Sequence, residues 1–491
     1  MTEGFVGRIA ARAELRPEAP ALRQGARLLS YAELVVAAER LHAALRGQGL
    51  GEGEVVLLLL PSGVELILSF LAVASARGLA TPLEARLTPS ELAPRLEVAR
   101  PALVIGTTER LAEAAPSLAA CASLRAAIVV DDGEPALGDL PLVRPGPARA
   151  PLDDPPPLAE VSCHFTYKGL GYPLGAVHRA RAYEAAIAGL ERTFQAEPGD
   201  RHLCILPLQP VYGLVTAGLG PLCTGGEVLL EPELNPRRAL EVLSRERIRF
   251  ASLVPPLYRV LRASARRGVP ELHPALTLSS GGTLLRAELA REVQGALGHP
   301  VYQGYGLTET LPVTSCVPGE DRPGALGRPL PGVSLEVRDA FGAPTPPGVA
   351  GEVCVRSEQL FAAYLRRPRE TARFLRDGWM HTGDLGWLDP DGLLHFLGRR
   401  EAFAKVNAQM VDLVEVEQAL CSHPAVTRAC ASTRQNAKGE DELRVAVTLA
   451  GRAQVRLGEL LQLARERLAP HKVPRRIRVY RALYEGLEPE F

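Results

Sequence analysis

The sequence has no long apolar run and no excess of either charge, and each absence excludes a class of protein. Lysine plus arginine and aspartate plus glutamate balance at 56 each, so nothing favours binding to nucleic acid or to an anionic membrane. No uninterrupted apolar stretch approaches the length of about 20 residues that spans a bilayer. The first residues, MTEGFVGRIAARAEL, contain no apolar segment of the kind found in signal peptides. We therefore expect a cytoplasmic protein without a membrane span.

The sequence also has no closely spaced cysteine pairs of the C-x-x-C type and few lysines. The eight cysteines are scattered without C-x-x-C spacing, which predicts neither a zinc site nor a disulfide framework. Only four lysines are present, namely Lys168, Lys405, Lys438 and Lys472. With so few of them, the position of each lysine is informative.

Helical and strand patterns alternate along the first part of the chain. Apolar residues at helical spacing predict helices at Tyr31–Leu45 and Val64–Ala76. Short apolar runs predict buried strands at Glu54–Leu60, Ala102–Ile105 and Ala127–Val130. Strands that alternate with helices are typical of parallel sheets covered on both faces, so the predicted fold class is α/β.

One stretch combines a strand with a polar turn. Val301–Thr310, VYQGYGLTET, predicts a buried strand that ends in a glycine-rich turn and then presents Thr308 and Glu309. Glycine lets the backbone approach a ligand closely, and a hydroxyl beside a carboxylate can hold a phosphate oxygen and Mg²⁺. The alternative is an ordinary strand and loop with chance polar residues.

Further motifs follow in a fixed order: GEVCVRS at Gly351–Ser357, then T-G-D, D-P-D-G and G-R within Trp379–Arg400. Together with YGLTE, this order resembles the adenylate-forming superfamily of acyl- and aryl-CoA ligases, peptide-synthetase adenylation domains and luciferases. The resemblance covers nearly the whole chain. It implies a large N-terminal acyl- and nucleotide-binding domain of stacked α/β sheets over residues 1–398, with a β-rich subdomain over 325–398. A small, mobile α+β C-terminal domain over 399–491 would rotate about a hinge near Arg399–Glu401.

The resemblance also implies binding residues. The nucleotide would contact Gly281, Gly282, Tyr305, Gly306, Thr308, Asp384 and Arg399. In detail, Tyr305 would stack on adenine, Thr308 would touch the α-phosphate and Glu309 would bind Mg²⁺. Asp384 would take the ribose hydroxyls, assisted by Arg399.

The acyl group and the catalytic residues are assigned in the same way. The acyl group would lie against Tyr212, Gly213, Gly282 and Gly304, although Tyr212 also fits ordinary strand-to-helix packing. The catalytic residues would be Thr308, Glu309 and Lys405. Lys405 belongs to a segment, Glu401–Glu417, that resembles the loop entering the active site in the thioester-forming state.

Two departures from the family affect adenylation. In FTYKGLGYPLGAVH at Phe165–His178, the phosphate loop keeps its frame but largely loses its chemistry, and the degenerate part comprises Lys168, Gly169, Leu170, Gly171 and Leu174. Lys168 replaces the first glycine and would offer its charge from the wrong position, Gly169 and Leu170 replace hydroxyl residues, Gly171 keeps the frame, and Leu174 replaces the lysine. Such loops bind phosphates with amides, hydroxyls and an ammonium, none of which leucine supplies. At the other end, Glu490 stands where the family has its catalytic lysine, and no register finds a lysine after Lys472.

These losses predict an acyltransferase rather than a ligase. It would move an acyl group, an aryl group such as anthraniloyl, from a CoA thioester to the phosphopantetheine thiol of an acyl carrier protein, and a separate acyl-CoA ligase would supply the thioester. This resembles the anthraniloyl transferases of aurachin-type secondary-metabolite biosynthesis. AMP would accept the acyl group transiently, or a cysteine would, with Cys204, Cys223 and Cys316 nearest the expected site. A role for Mg²⁺ is left open. The alternatives are a functional ATP-dependent aryl- or acyl-CoA ligase and a non-catalytic binding protein.

Overall fold

The computed structural model describes most of the chain. The described residues are 4–84, 87–168, 170, 172–232, 235, 238–320, 322–339, 341–399, 403–406, 409–435, 441–450, 453–468 and 472–481. The chain divides into two compact units. The first comprises Met1–Thr382 with Trp387–Phe396, and the second comprises Gly383–Gly386 with Leu397–Phe491.

The helices described in the first unit are distributed along its whole length. They are α1 (Phe5–Leu15), α2 (Tyr31–Gly47), α3 (Val64–Ser75), α4 (Pro89–Ala99), α5 (Thr108–Ala119), α6 (Ala180–Phe194), α7 (Gly220–Thr224), α8 (Ala239–Arg245), α9 (Pro255–Ala265), α10 (Ala287–Leu297) and α11 (Pro368–Phe374). The π-helical segment Gly213–Leu219 precedes α7. The second unit contains α12 (Leu413–Cys421) and α13 (Leu457–Arg467). No helix among the residues described above combines the length and apolar character needed to cross a bilayer.

The strands occupy five sheets. In chain order they are β1 (Pro20–Gln24), β2 (Arg27–Ser30), β3 (Val55–Leu59), β4 (Leu79–Pro82), β5 (Leu103–Gly106), β6 (Ala126–Val129), β7 (Leu142–Val143), β8 (Glu160–Thr166), β9 (Leu174–Arg179), β10 (Arg201–Cys204), β11 (Glu227–Leu230), β12 (Phe250–Leu253), β13 (Thr277–Ser280), β14 (Val301–Leu307), β15 (Leu311–Ser315), β16 (Arg328–Pro329), β17 (Ser334–Arg338), β18 (Gly351–Arg356), β19 (Ala363–Tyr364), β20 (Leu375–Arg376), β21 (Trp379–Leu388), β22 (Leu394–Arg399), β23 (Phe403–Val406), β24 (Gln409–Asp412), β25 (Val426–Gln435), β26 (Asp441–Leu449) and β27 (Arg476–Arg481).

Two large sheets dominate the first unit. One has nine strands in the order β16-β15-β14-β13-β12-β10-β11-β1-β2, and the other has eight in the order β19-β9-β8-β4-β3-β5-β6-β7. Strands β10 to β14 pair in parallel, as do β3 to β6, which is the arrangement that alternating strands and helices predict. A five-stranded antiparallel sheet is built from β17, β18 and β20 to β22, while the second unit holds the β23–β24 pair and the sheet β25-β26-β27.

Helix α3 lies between the two large sheets. Every one of its 12 residues is buried, and it contacts β3, β4 and β8 of the eight-stranded sheet and β1 of the nine-stranded sheet. A helix that is apolar on all sides must be covered on all sides, which explains the uninterrupted run VELILSFLAVAS. The predicted α/β class, with a large N-terminal part, a β-rich part and a smaller C-terminal part, is confirmed.

Candidate active site

The turn after β14 is held from three sides. The Leu307 backbone N–H donates to the Thr310 hydroxyl at 2.9 Å, and the Phe361 backbone N–H donates to the Glu309 carbonyl at 2.8 Å. His178 Nε2 lies 2.7 Å from the Thr308 carbonyl oxygen, so the ring donates a proton there. The backbone of Thr308 and Glu309 is therefore fixed by one hydrogen bond within the turn and by contacts with two other segments.

The Glu309 carboxylate is buried, and both of its oxygens have partners. Only 1% of the side chain is exposed. The Tyr364 hydroxyl donates to Oε1 at 2.7 Å, and Lys168 Nζ lies 3.4 Å from Oε2. Burial and the nearby Glu309 carboxylate raise the pKa of Tyr364 far above its usual range, so the hydroxyl stays protonated and keeps donating. Tyr364 carries no signal in the sequence, because an isolated tyrosine in a two-residue strand has no periodicity.

These contacts bear on whether Glu309 suits Mg²⁺. Magnesium is usually bound by one or two carboxylates with water and substrate phosphates, at about 2.0–2.1 Å from each oxygen. Here one oxygen accepts a hydrogen bond from Tyr364 and the other faces an ammonium group. A divalent ion at this carboxylate would lie beside the like charge of Lys168. Mg²⁺ therefore does not fit Glu309 in this arrangement.

The segment that resembles the family's phosphate loop connects β8 to β9. Lys168 adopts a left-handed backbone conformation with φ of 47°, which explains why the family has glycine there. Leu174, at the position of the family's lysine, is the first residue of β9 and is fully buried in an apolar cluster with Tyr364, Phe374 and Met380. Leu170 packs against the same cluster, whereas Gly169 and Gly171 lie outside the described residues.

In the predicted acyl-binding set, Tyr212 lies against Gly281, a residue of the predicted nucleotide-binding set. A Cβ on Gly281 would lie 2.6 Å from the Tyr212 ring, so the absence of a side chain lets this ring lie against the backbone. A Cβ on Gly213 would lie 2.1 Å from the Pro207 carbonyl oxygen, so glycine is needed for this close approach. Burial raises the pKa of Tyr212 to about 12, which keeps its hydroxyl neutral. Gly282 has φ of 76° and follows directly.

Three consecutive residues of β14, Gly304, Tyr305 and Gly306, have different surroundings. Tyr305 is 8% exposed and packs with Val313 and Leu326, so little of its ring remains for stacking on adenine. Gly306 is exposed, and a Cβ there would lie 2.3 Å from the Leu311 carbonyl oxygen. A Cβ on Gly304 would lie 2.7 Å from the Thr314 carbonyl oxygen, so both glycines permit the close pairing of β14 with β15.

In the second unit, Asp384 and Arg399 lie close together. Arg399 Nε is 3.7 Å from Asp384 Oδ1, and the side chains are 65% and 5% exposed, respectively. The predicted role of this pair at the ribose stays a prediction. The backbone of Lys405 pairs with Met410, but its side chain lies outside the described part of the chain, as do Glu401 and Glu490.

The three cysteines considered as acyl carriers are buried thiols. Burial raises the pKa of Cys204 and Cys223 to about 12 and that of Cys316 to about 11. Each Sγ lies within donating distance of a backbone carbonyl: 3.7 Å from Leu206 for Cys204, 3.5 Å from Phe5 for Cys223 and 3.4 Å from Ala325 for Cys316. Since the thiolate is the nucleophile, these surroundings disfavour a cysteine-bound acyl group.

A second group of side chains meets its hydrogen-bonding needs within the group. Glu352, Cys354 and His381 place three metal-ligating atoms within 4.8 Å of one another. His381 Nδ1 lies 3.2 Å from Glu352 Oε2 and 3.5 Å from Cys354 Sγ, which are hydrogen-bond distances. Hydrogen bonding accounts for this group without an ion.

Comparisons with known proteins agree with the fold and the motif order. The AMP-binding enzyme family matches residues 9–365, and the AMP-binding enzyme C-terminal domain matches residues 415–484. A feruloyl-CoA synthase of Amycolatopsis sp is 30% identical over 476 residues, which are 95% of this chain and 93% of that protein. An indoleacetate–CoA ligase of Aromatoleum aromaticum is 29% identical over 472 residues, covering 95% of this chain and 92% of its own.

Comparison with solved structures also supports this fold. ATP-bound MatB from Rhodopseudomonas palustris has a TM-score of 0.81 at 27% identity, covering 98% of this chain and 95% of its own. An anthranilate CoA ligase in complex with anthranoyl-AMP has a TM-score of 0.78 at 23% identity, covering 97% and 93%, and this likeness shows the fold alone. Because the family match spans most of the sequence, the chain belongs to the AMP-binding enzyme family, in the acyl- and aryl-CoA ligase-like branch of the adenylate-forming superfamily.

Proposed function

We propose that the chain transfers an acyl group, an aryl group such as anthraniloyl, from a CoA thioester to the phosphopantetheine thiol of an acyl carrier protein. The carbon–sulfur bond to CoA breaks, a new bond to the phosphopantetheine sulfur forms, and the thiol proton ends on CoA. A separate acyl-CoA ligase would supply the donor. The reaction consumes no ATP, and we place it in the cytoplasm.

The observation that carries this proposal is the burial of Leu174. A phosphate loop needs a cation at this position to hold the β- and γ-phosphates of ATP. The Leu174 side chain is fully buried in an apolar cluster, so its position serves packing instead. In the family a second cation, a lysine, stands at the position of Glu490, which is a carboxylate in this sequence.

AMP can take part in this transfer although the reaction consumes no ATP. When bound, AMP supplies a phosphate oxygen as the transient acyl acceptor. By the family resemblance, Asp384 and Arg399 would hold its ribose and Thr308 would touch its phosphate. The buried, protonated cysteines make this route preferable to a cysteine-bound acyl group.

An ATP-dependent aryl- or acyl-CoA ligase is the second candidate, and the comparisons favour it. The relatives named above are a CoA synthase and a CoA ligase, and each covers 95% of this chain. On overall similarity the ligase is better supported, whereas the local substitutions at Lys168, Leu174 and Glu490 favour transfer.

A paired assay read by intact-protein mass spectrometry separates the two candidates. One reaction contains aryl acids, ATP, Mg²⁺ and CoA; the other contains aryl-CoA and phosphopantetheinylated carrier protein, with and without AMP. We expect acyl loading of the carrier only in the second reaction, and dependence on AMP. Aryl-CoA and AMP formed in the first reaction would make the chain a ligase.

Replacement of Asp384 tests the AMP route. Because Asp384→Ala removes the carboxylate that accepts both ribose hydroxyls, we expect AMP to bind about 10- to 100-fold more weakly, with a matching loss of transfer at low AMP. Asp391→Ala is the control, because Asp391 lies on the turn between β21 and β22 and is 53% exposed. Isothermal titration calorimetry with AMP gives the affinities. Equal affinities for both variants would remove the AMP-mediated mechanism.

A further inference from the structure

The ammonium group of Lys168 has three partners inside the protein. Nζ lies 3.4 Å from Glu309 Oε2 and 3.2 Å from the Thr382 carbonyl oxygen, to which it donates. It also lies 5.7 Å from the centroid of the Phe374 ring, within the range of a cation–π contact. The side chain is only 11% exposed, so the charge is held by the protein more than by water.

The backbone at this lysine is strained. A side chain in the left-handed region costs about 1–2 kcal/mol, and Lys168 has φ of 47°. Such strain persists only where surrounding contacts outweigh it. The three contacts of the ammonium group supply that compensation, whereas a lysine needed only for solubility would not occupy a glycine position.

The position of this charge matches that of an ion that the carboxylate would otherwise attract. Glu309 is 1% exposed, and a buried carboxylate needs a cation or several hydrogen-bond donors. Tyr364 supplies one donor to Oε1, and Lys168 supplies the cation at Oε2. Loss of the ammonium would leave Oε2 without a compensating charge and would open the space that the ammonium fills.

We propose that Lys168 is a built-in cation that replaces the divalent metal at Glu309, so that this site is independent of Mg²⁺. A lysine ammonium is a compact point charge and can neutralise one carboxylate, but it cannot bridge that carboxylate to several phosphate oxygens as Mg²⁺ does. The site thus excludes a metal–triphosphate complex in favour of ligands with a single phosphate. This inference concerns the chain without any ligand, and the exclusion of a metal–triphosphate complex accords with transfer and not with ATP-dependent ligation.

The test uses Lys168→Gly and Mn²⁺ as the probe. Glycine relieves the backbone, removes the like charge and opens the space beside Glu309. Electron paramagnetic resonance measures the Mn²⁺ bound per chain. We expect the wild-type protein to lack a Mn²⁺ site at Glu309. Lys168→Gly should bind Mn²⁺ at least about a hundredfold more tightly than wild type, because a repelling charge some 4 Å away has been removed. Mn²⁺ should also raise its melting temperature by a few degrees.

Three further variants make the result specific. Gln195→Gly relieves a similar φ of 49° at the end of α6 and should gain no Mn²⁺ site. Lys168→Met loses the charge but fills the space, so it should bind no Mn²⁺. Lys168→Gly with Glu309→Gln should lose the site again.

Either of two results would overturn the proposal. One is Mn²⁺ bound to wild-type protein and lost in Glu309→Gln, a result that does not depend on the folding of any Lys168 variant. The other is a folded Lys168→Gly that gains no site. Because neither measurement uses a substrate or a nucleotide, both are independent of the proposed transfer reaction.

Discussion

Glu309→Gln is expected to lower the free energy of unfolding by about 3–5 kcal/mol, because it removes one partner of a buried ion pair. Glutamine keeps the shape and can accept one hydrogen bond, from Lys168 or from Tyr364, but it carries no charge. The Lys168 ammonium, 11% exposed and 3.4 Å from the carboxylate, would then be buried without its counter-charge. Urea unfolding at constant pH measures the change.

A double-mutant cycle separates this pair from other effects of the substitution. We expect Lys168→Met to be destabilised by a similar amount, and the double variant to be at least about 1 kcal/mol more stable than the sum of the single effects predicts. Glu241→Gln is the matched control. It breaks a surface pair with Arg238 in which the side chains are 66% and 62% exposed, and such pairs contribute about 0–1 kcal/mol. Simple additivity at residues 168 and 309 would show that the two side chains do not interact.

The elements that could be predicted from the sequence are those with a strong local pattern. The predicted helices Tyr31–Leu45 and Val64–Ala76 appear as α2 and α3 within two residues at each end. The stretch VYQGYGLTET forms β14 and the turn that presents Thr308 and Glu309. The two-residue strand β7 at the edge of the eight-stranded sheet is an element without such a pattern, and the sequence did not predict it.

The contacts of the candidate site could not be predicted in the same way. Motif comparison identified Lys168 as a departure and predicted a charge from the wrong position, but its target depends on a left-handed backbone angle and on a carboxylate distant in the chain. Tyr364 reaches Glu309 from a different strand, and His178 reaches Thr308 from the end of β9. Such pairings are set by tertiary packing, so no local pattern records them.

Acidification is expected to destabilise the protein steeply between about pH 6.5 and pH 4, because three histidines are buried in the neutral form. Burial lowers the pKa of His164 and His202 to about 3 and that of His178 to about 4. In the unfolded chain a histidine titrates near 6.5, so below this pH the unfolded state binds more protons than the folded state. Stability is then lost as the pH falls, by about 1.4 kcal/mol per pH unit for each histidine, or about 2 kcal/mol each at pH 5.

His202→Phe tests this account with little change in packing. The His202 ring stacks on Phe250 with centroids 4.7 Å apart, and its buried Nε2 has no hydrogen-bond partner among the described residues. Phenylalanine keeps the stack and cannot be protonated, so the loss of stability between pH 6.5 and pH 5 should shrink by about 2 kcal/mol. Urea unfolding at several pH values gives the slopes, and equal slopes for wild type and His202→Phe would exclude His202 as a source of acid sensitivity. His178 links the same titration to the site, because its ring donates to the Thr308 carbonyl and protonation would add a donor at the buried Nδ1, which has no partner among the described residues.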